Sequence, residues 1–96
     1  MEEKEKEKKE KEMVEIGKVT HFFGKVSAAA IELTKGDLKV GDTIYIKGHT
    51  SDFEQKIDSM QIDNTSIEKA TKGQVIGVQV KEHVREHDVV YKVESD

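Results

Sequence analysis

The sequence predicts an all-β domain, a small closed six-stranded β-barrel of Greek-key type, and three observations carry that prediction. From Met13 onward the apolar residues fall in short runs at period two. Glycines punctuate those runs, and no stretch sustains helical periodicity for three turns. The chain contains no proline, and six strands in about 80 residues favour closure, because a closed sheet leaves no hydrogen-bonding edge exposed.

The first segment stands apart. Residues 2–12, EEKEKEKKEKE, hold six Glu, five Lys and no apolar side chain, so they cannot dock on a core. Glu2 with Lys6, Glu5 with Lys9 and Glu7 with Lys11 have helix-favouring spacing, but a helix this short is marginal in water. Residues 1–12 are expected to be a disordered or fraying charged tail, and residues 13–96 the barrel. The first strand, with Val14, Ile16 and Val19, loses phase at Gly17, as a bulged strand would. In the second, Val26, Ala28 and Ala30 give way to Ile31 and Leu33 on the other phase. This predicts a second bulge, with small alanines facing inward where a curved sheet closes.

Gly36-Asp37 and Gly41-Asp42 bracket Leu38 and Val40. Each pair supplies a glycine for unusual backbone angles and an aspartate able to accept bonds from turn amides. In the third strand Ile44 and Ile46 point inward against Thr43, Tyr45 and Lys47. His49 to Glu54 read as a polar loop. Ile57, Met60 and Ile62 can share one face only if one irregularity intervenes. Ser66 to Lys72 is expected to make one helical turn with Ile67 and Ala70 on the same side, ended by Gly73. Gly77, inside the next strand, predicts close backbone approach or a barrel corner, and Val89, Tyr91 and Val93 alternate along the last strand.

Composition bounds function. With 96 residues, 34% of them apolar, there is material for one small core. No run approaches a membrane span and the N-terminus lacks a secretory apolar stretch, so a soluble, cytoplasmic protein is expected. The absence of cysteine excludes disulfides, a thiolate nucleophile and cysteine-ligated zinc. Charged residues, mostly Lys and Glu, make up 38% of the chain, a balance similar to that of thermophilic proteins. The net charge of −4 provides no global field that would draw in nucleic acid, so any such contact must be local.

The order of GKVTHFFGKVSAAAIEL, GDLKVGDTIYIKG, KIDSMQID, IEKATKGQVIGVQV and DVVYKV resembles the β-barrel second domain of translational GTPases such as elongation factor Tu. Leu38, Val40, Gly41 and Asp42 stand where that family leads into one strand, and Ala70 and Gly73 where it leads into another. The resemblance covers about residues 14–93. It is strongest to small barrels that occur alone or at the C-terminus of collagenase-like peptidases, where SMQID and VREHDVVYKV have near counterparts. No GxxxxGK[ST] loop is present, so nucleotide binding does not carry over. Related barrels usually have glycine before the last aspartate. Here His87 stands there, a residue type that tolerates positive φ better than bulky ones do.

The resemblance implies a non-catalytic binding module touching RNA, the ribosome or a translation protein. The lysines flanking the two family-like turns, Lys35, Lys39, Lys69 and Lys72, are then the candidate contacts. The alternative is an accessory protein-interaction barrel working beside a separately encoded enzyme such as a collagenase-like peptidase. Phe22 and Phe23 form the one adjacent aromatic pair. In a strand one ring enters the core and the other, near Lys18, His21 and Lys25, can meet a base or a partner's apolar side chain. His83 and His87 lie on a connection between strands, where a spacing of four does not converge two rings on a metal. The serines and aspartates form no catalytic or calcium-loop pattern. No enzyme activity, cofactor, metal, nucleotide or membrane is expected, and the chain should be a monomer.

Overall fold

The computed structural model of the chain describes residues 11–95, which contain ten strands and no helix. The strands are β1 (Lys11–Phe23), β2 (Ala28–Leu33), β3 (Leu38–Lys39), β4 (Thr43–Lys47), β5 (Asp52–Lys56), β6 (Met60–Ile62), β7 (Thr65–Ile67), β8 (Lys69–Ala70), β9 (Val75–Gln79) and β10 (Val89–Ser95). Most of the segment expected to be a charged tail lies outside the described residues. Its last two positions, Lys11 and Glu12, already belong to β1. Among the described residues no helix is long and apolar enough to cross a membrane.

Eight strands form one antiparallel sheet in the order β5-β4-β10-β1-β2-β9-β6-β7, and β3 pairs with β8 as a separate ribbon. The all-β expectation holds, but the closed six-stranded barrel does not: the sheet has two edges, β5 and β7, and no backbone ladder joins them. A side chain instead bridges β5 to β9 and its exit. Gln55 on β5 donates from Nε2 to the Gln79 carbonyl at 2.8 Å and accepts from the Lys81 amide at 2.9 Å. Gln55, Asp58, Ser59, Gln79 and Lys81 line a cavity of about 320 Å³ in this seam.

The long β1 strand curls the sheet through two irregularities. Its register on β10 shifts between Glu15 and Gly17, and its register on β2 shifts between Val19 and His21. The first is the break anticipated at Gly17. A Cβ at Gly17 would overlap the Glu32 carbonyl, so glycine is needed there because a neighbouring backbone lies against it. The second bulge falls on β1 and not on β2. Ala29, Ile31 and Leu33 alternate inward without interruption, while Ala28 and Ala30 face outward and Val26 lies exposed before the strand begins. The inward alanine phase is therefore opposite to the one expected. The extra residue that corrects the phase belongs to the partner strand.

Ile44 and Ile46 of β4 point inward as the alternation requires. The region expected to be a loop up to Glu54 becomes β5 from Asp52 onward, because Phe53 has a core site to fill opposite Ile46. Ile57 and Met60 are buried, Ile62 packs half-buried against the core, and the irregularity between them is the strand break at Asp58 and Ser59. The expected helical turn over residues 66–72 is replaced by β7 and β8. Asp63 and Asn64, both with positive φ, reverse the chain in two residues and pair Ile62 with Thr65, while Ala70 is buried opposite Leu38. On β10 the fully buried side chain is Val90, and Val89, Tyr91 and Val93 are half-buried on the other phase.

Candidate interaction surfaces

The lysines singled out by sequence lie on and around the β3–β8 ribbon. Leu38 and Ala70 face each other and plug into the core, which leaves Lys39 and Lys69 as an outward cross-strand pair. Gly41 and Gly73, with φ of 100° and 97°, turn the chain at the two ends. The Gly73 amide donates to the Leu33 carbonyl at 2.7 Å and the Lys72 amide to Asp37 Oδ1 at 3.2 Å, which draws Lys35 and Lys72 to the flanks of the same ribbon.

Acids interleave with these lysines. Asp42 receives the Lys39 side chain at 2.9 Å and its amide at 3.0 Å, with Lys92 3.7 Å away, and Lys35 pairs with Glu15 at 3.5 Å. Burial alone would raise the Asp42 pKa, but the two bonds from Lys39 and the charges of Lys92 and Lys39 outweigh it and hold the carboxyl below its ordinary value. With Asp37 and Glu68 also on the ribbon's segments, this end carries mixed charge.

The aromatic pair divides as strand geometry requires. Phe22 packs half-buried on the core and meets the His83 ring edge-on at 4.4 Å, whereas Phe23 is 49% exposed and lies 4.5 Å from His21. His21 Nδ1 stands 3.6 Å from Glu86, in the connection between β9 and β10. That connection is anchored by buried Val80 and Val84 and by Asp88, which is 4% exposed. The Asp88 carboxylate accepts from Ser51 Oγ and, at 3.0 Å, from the Arg85 amide. A Cβ at Gly48 would collide with this carboxylate, so the β4–β5 hairpin seals over it. His87 adopts φ of 77°, in the left-handed region that favours glycine, and its amide donates to the Val19 carbonyl at 2.8 Å. Among the described residues no three His, Asp or Glu side chains are grouped so as to hold a metal ion.

A third surface escaped the sequence reading. The outward phase of β2, β9 and β6 forms a groove of about 520 Å³ lined by Phe23, Ala28, Ala30, Gln61, Asp63, Asn64, Val75 and Gly77, among others. Gly77 sits at its floor, level with Ala30 on one side and Gln61 on the other. Neither reason expected for this glycine applies within the described chain: it marks no corner of a closed barrel, and an added Cβ would come no closer than 3.8 Å, to the Gln61 carbonyl. The signal was the small-residue phase Ala28, Ala30 and Gly77. It could be assigned to the outside only once the β1 bulge was known.

No protein-family model matches the chain. In sequence it is 49% identical over 79 residues to an uncharacterized protease of Methanocaldococcus jannaschii, covering 81% of this chain and 19% of that protein. It is 35% identical over 86 residues to a collagenase of Porphyromonas gingivalis, covering 88% of this chain and 21% of that protein. The chain thus spans about a fifth of the length of the curated relatives it matches. In fold it is similar to the C-terminal domain of a U32 peptidase of Geobacillus thermoleovorans, with a TM-score of 0.76 at 16% identity over 82% of this chain and 91% of that domain. GDP-bound aIF5B of Aeropyrum pernix shares the fold over 83% of this chain and 15% of its own, with a TM-score of 0.58 at 18% identity. The likeness to a translational GTPase is therefore one of fold alone. The likeness to peptidase- and collagenase-type proteins is one of sequence over nearly the whole domain, and in the U32 peptidase the corresponding fold forms the C-terminal domain.

Proposed function

We propose that this chain is a non-catalytic interaction module that works beside a peptidase- or collagenase-like enzyme. The observation that carries this reading is the sequence identity, 49% and 35%, to about one fifth of two such proteins. A module of this size can be joined to an enzyme or supplied separately with the same surface. The site chemistry supports a binding role: Ser51, which is hydrogen-bonded to Asp88, is buried and holds a loop in place, so it offers no accessible nucleophile. The mixed charge of the lysine ribbon gives phosphates little net attraction, and the translation-linked reading has no support beyond the fold.

The test is association between this chain and the M. jannaschii protease from which the matching fifth has been deleted, measured by analytical ultracentrifugation over a salt series. A saturable complex that persists at high salt and after ribonuclease treatment is expected. Failure to form one would overturn the proposal, and binding to single-stranded RNA that weakens steeply with salt would then favour an RNA-contacting role.

A further inference from the structure

We infer that the groove over β2, β9 and β6 binds an extended, uncharged peptide segment of a protein partner. This rests on the interaction role proposed above and names the surface that performs it. Three of the six large apolar side chains exposed among the described residues border this face: Phe23 at 49%, Val26 at 59% and Val75 at 49%. The groove continues past Ala28 and Gly77 into a second depression of about 340 Å³ bordered by Val26, so the apolar surface is contiguous.

Charge selects the occupant. In a chain with 38% charged residues, Asp63 is the one ionisable side chain lining the main depression, and none lines its continuation. Charge depletion at the centre of an exposed apolar surface is the signature of a protein interface. An acidic peptide would lose hydration there without gaining a partner, a basic one would find only the single carboxylate of Asp63, and nucleic acid finds no lysine or arginine. The charged segment 2–12 of this chain has no apolar side chain to place there.

Gly77 gives the depth. A glycine inside a strand costs stability relative to a residue with a side chain, and neither positive φ nor close contact compels it here. Its missing side chain keeps the floor low between Ala30 and Gln61, where another backbone can lie against the sheet. The side-chain amides of Gln61 and Asn64 belong to exposed residues that line the groove. Each offers a donor and an acceptor to a peptide backbone.

The experiment titrates the isotope-labelled full chain with the capped pentapeptide acetyl-Ser-Val-Thr-Val-Ser-amide and follows amide shifts. Saturable changes at Ala28, Ala30, Gln61 and Gly77 are expected, and replacing both valines of the peptide by lysine should weaken binding by roughly tenfold or more. Gly77→Val should weaken it similarly while leaving the melting temperature unchanged or higher; Gly77→Ala, whose Cβ meets only ordinary contacts, serves if the larger variant fails to fold. Absent or scattered shifts, unchanged binding by the folded variant, or equal binding of the lysine peptide overturns the inference. The truncated protease separates the two proposals. If Gly77→Val binds it as wild type does, the groove is refuted and the interaction role stands. If wild type ignores the protease yet binds the peptide at the groove, the enzyme association is refuted and the groove stands.

Discussion

Gln55 tests whether a side chain can do the work of a missing strand ladder. Its amide makes two hydrogen bonds across the seam, to the Gln79 carbonyl at 2.8 Å and from the Lys81 amide at 2.9 Å. Gln55→Ala removes both. A net hydrogen bond is worth about 0.5–1.5 kcal/mol, so the loss should be about 1–3 kcal/mol, towards the lower end because the site is half-exposed and water can replace part of it. For a domain of this size each kcal/mol lowers the melting temperature by roughly 4–8 °C, and a fall of about 4–12 °C is expected by calorimetry. Hydrogen exchange supplies the local readout, because the Lys81 amide donates to Gln55 Oε1 and should lose its protection ahead of the core strands. Gln55→Glu keeps an acceptor for Lys81 but has no donor for Gln79, so it should preserve that protection while losing part of the stability. A melting temperature within about 1 °C of wild type, with Lys81 still protected in Gln55→Ala, would refute the bridging role.

Three further outcomes follow from the same structure. Gly17→Ala should destabilise by about 3 kcal/mol or more, seen in urea unfolding, because its Cβ collides with the Glu32 backbone and no flexible group can yield. His87→Gly should hold or raise stability by up to about 1 kcal/mol, and His87→Val should lower it by about 1–2 kcal/mol, since φ of 77° suits glycine and strains a β-branched residue. Because the Asp42 carboxyl is held below its ordinary value in the folded state, its contribution is present above the unfolded pKa and fades as pH falls below about 4. Asp42→Asn should therefore flatten the acid limb of a stability-against-pH curve, and an unchanged limb would count against the Lys39–Asp42–Lys92 arrangement.

What was local could be read from the chain. Ile44 and Ile46 against Thr43, Tyr45 and Lys47 set one strand's inner face, because strand periodicity leaves no other assignment. Gly41 marked a turn that needs positive φ, whereas Gly36, read in the same way, has none and instead lies against Ile16; Gly17 marked a phase break, and the adjacent rings Phe22 and Phe23 had to part. Residue types at fixed short spacings carry these facts, and no distant partner is needed to decide them.

Tertiary structure decided the rest. Which alanines face inward depended on an irregularity in β1, the partner strand, and so the groove could not be placed from β2 alone. Residues 66–72 have a spacing compatible with one helical turn. They became strands because Ala70 finds Leu38 across the β3–β8 ribbon and Met60 finds Ile67 beyond the Asp63-Asn64 turn. Gly48 is required by a carboxylate forty residues further along the chain, and the sheet's open seam is bridged by one glutamine to β9 and its exit. Periodicity states which face of a strand is apolar. Which strands become neighbours, and whether the sheet closes, is settled by contacts between residues far apart in sequence, where no local preference acts.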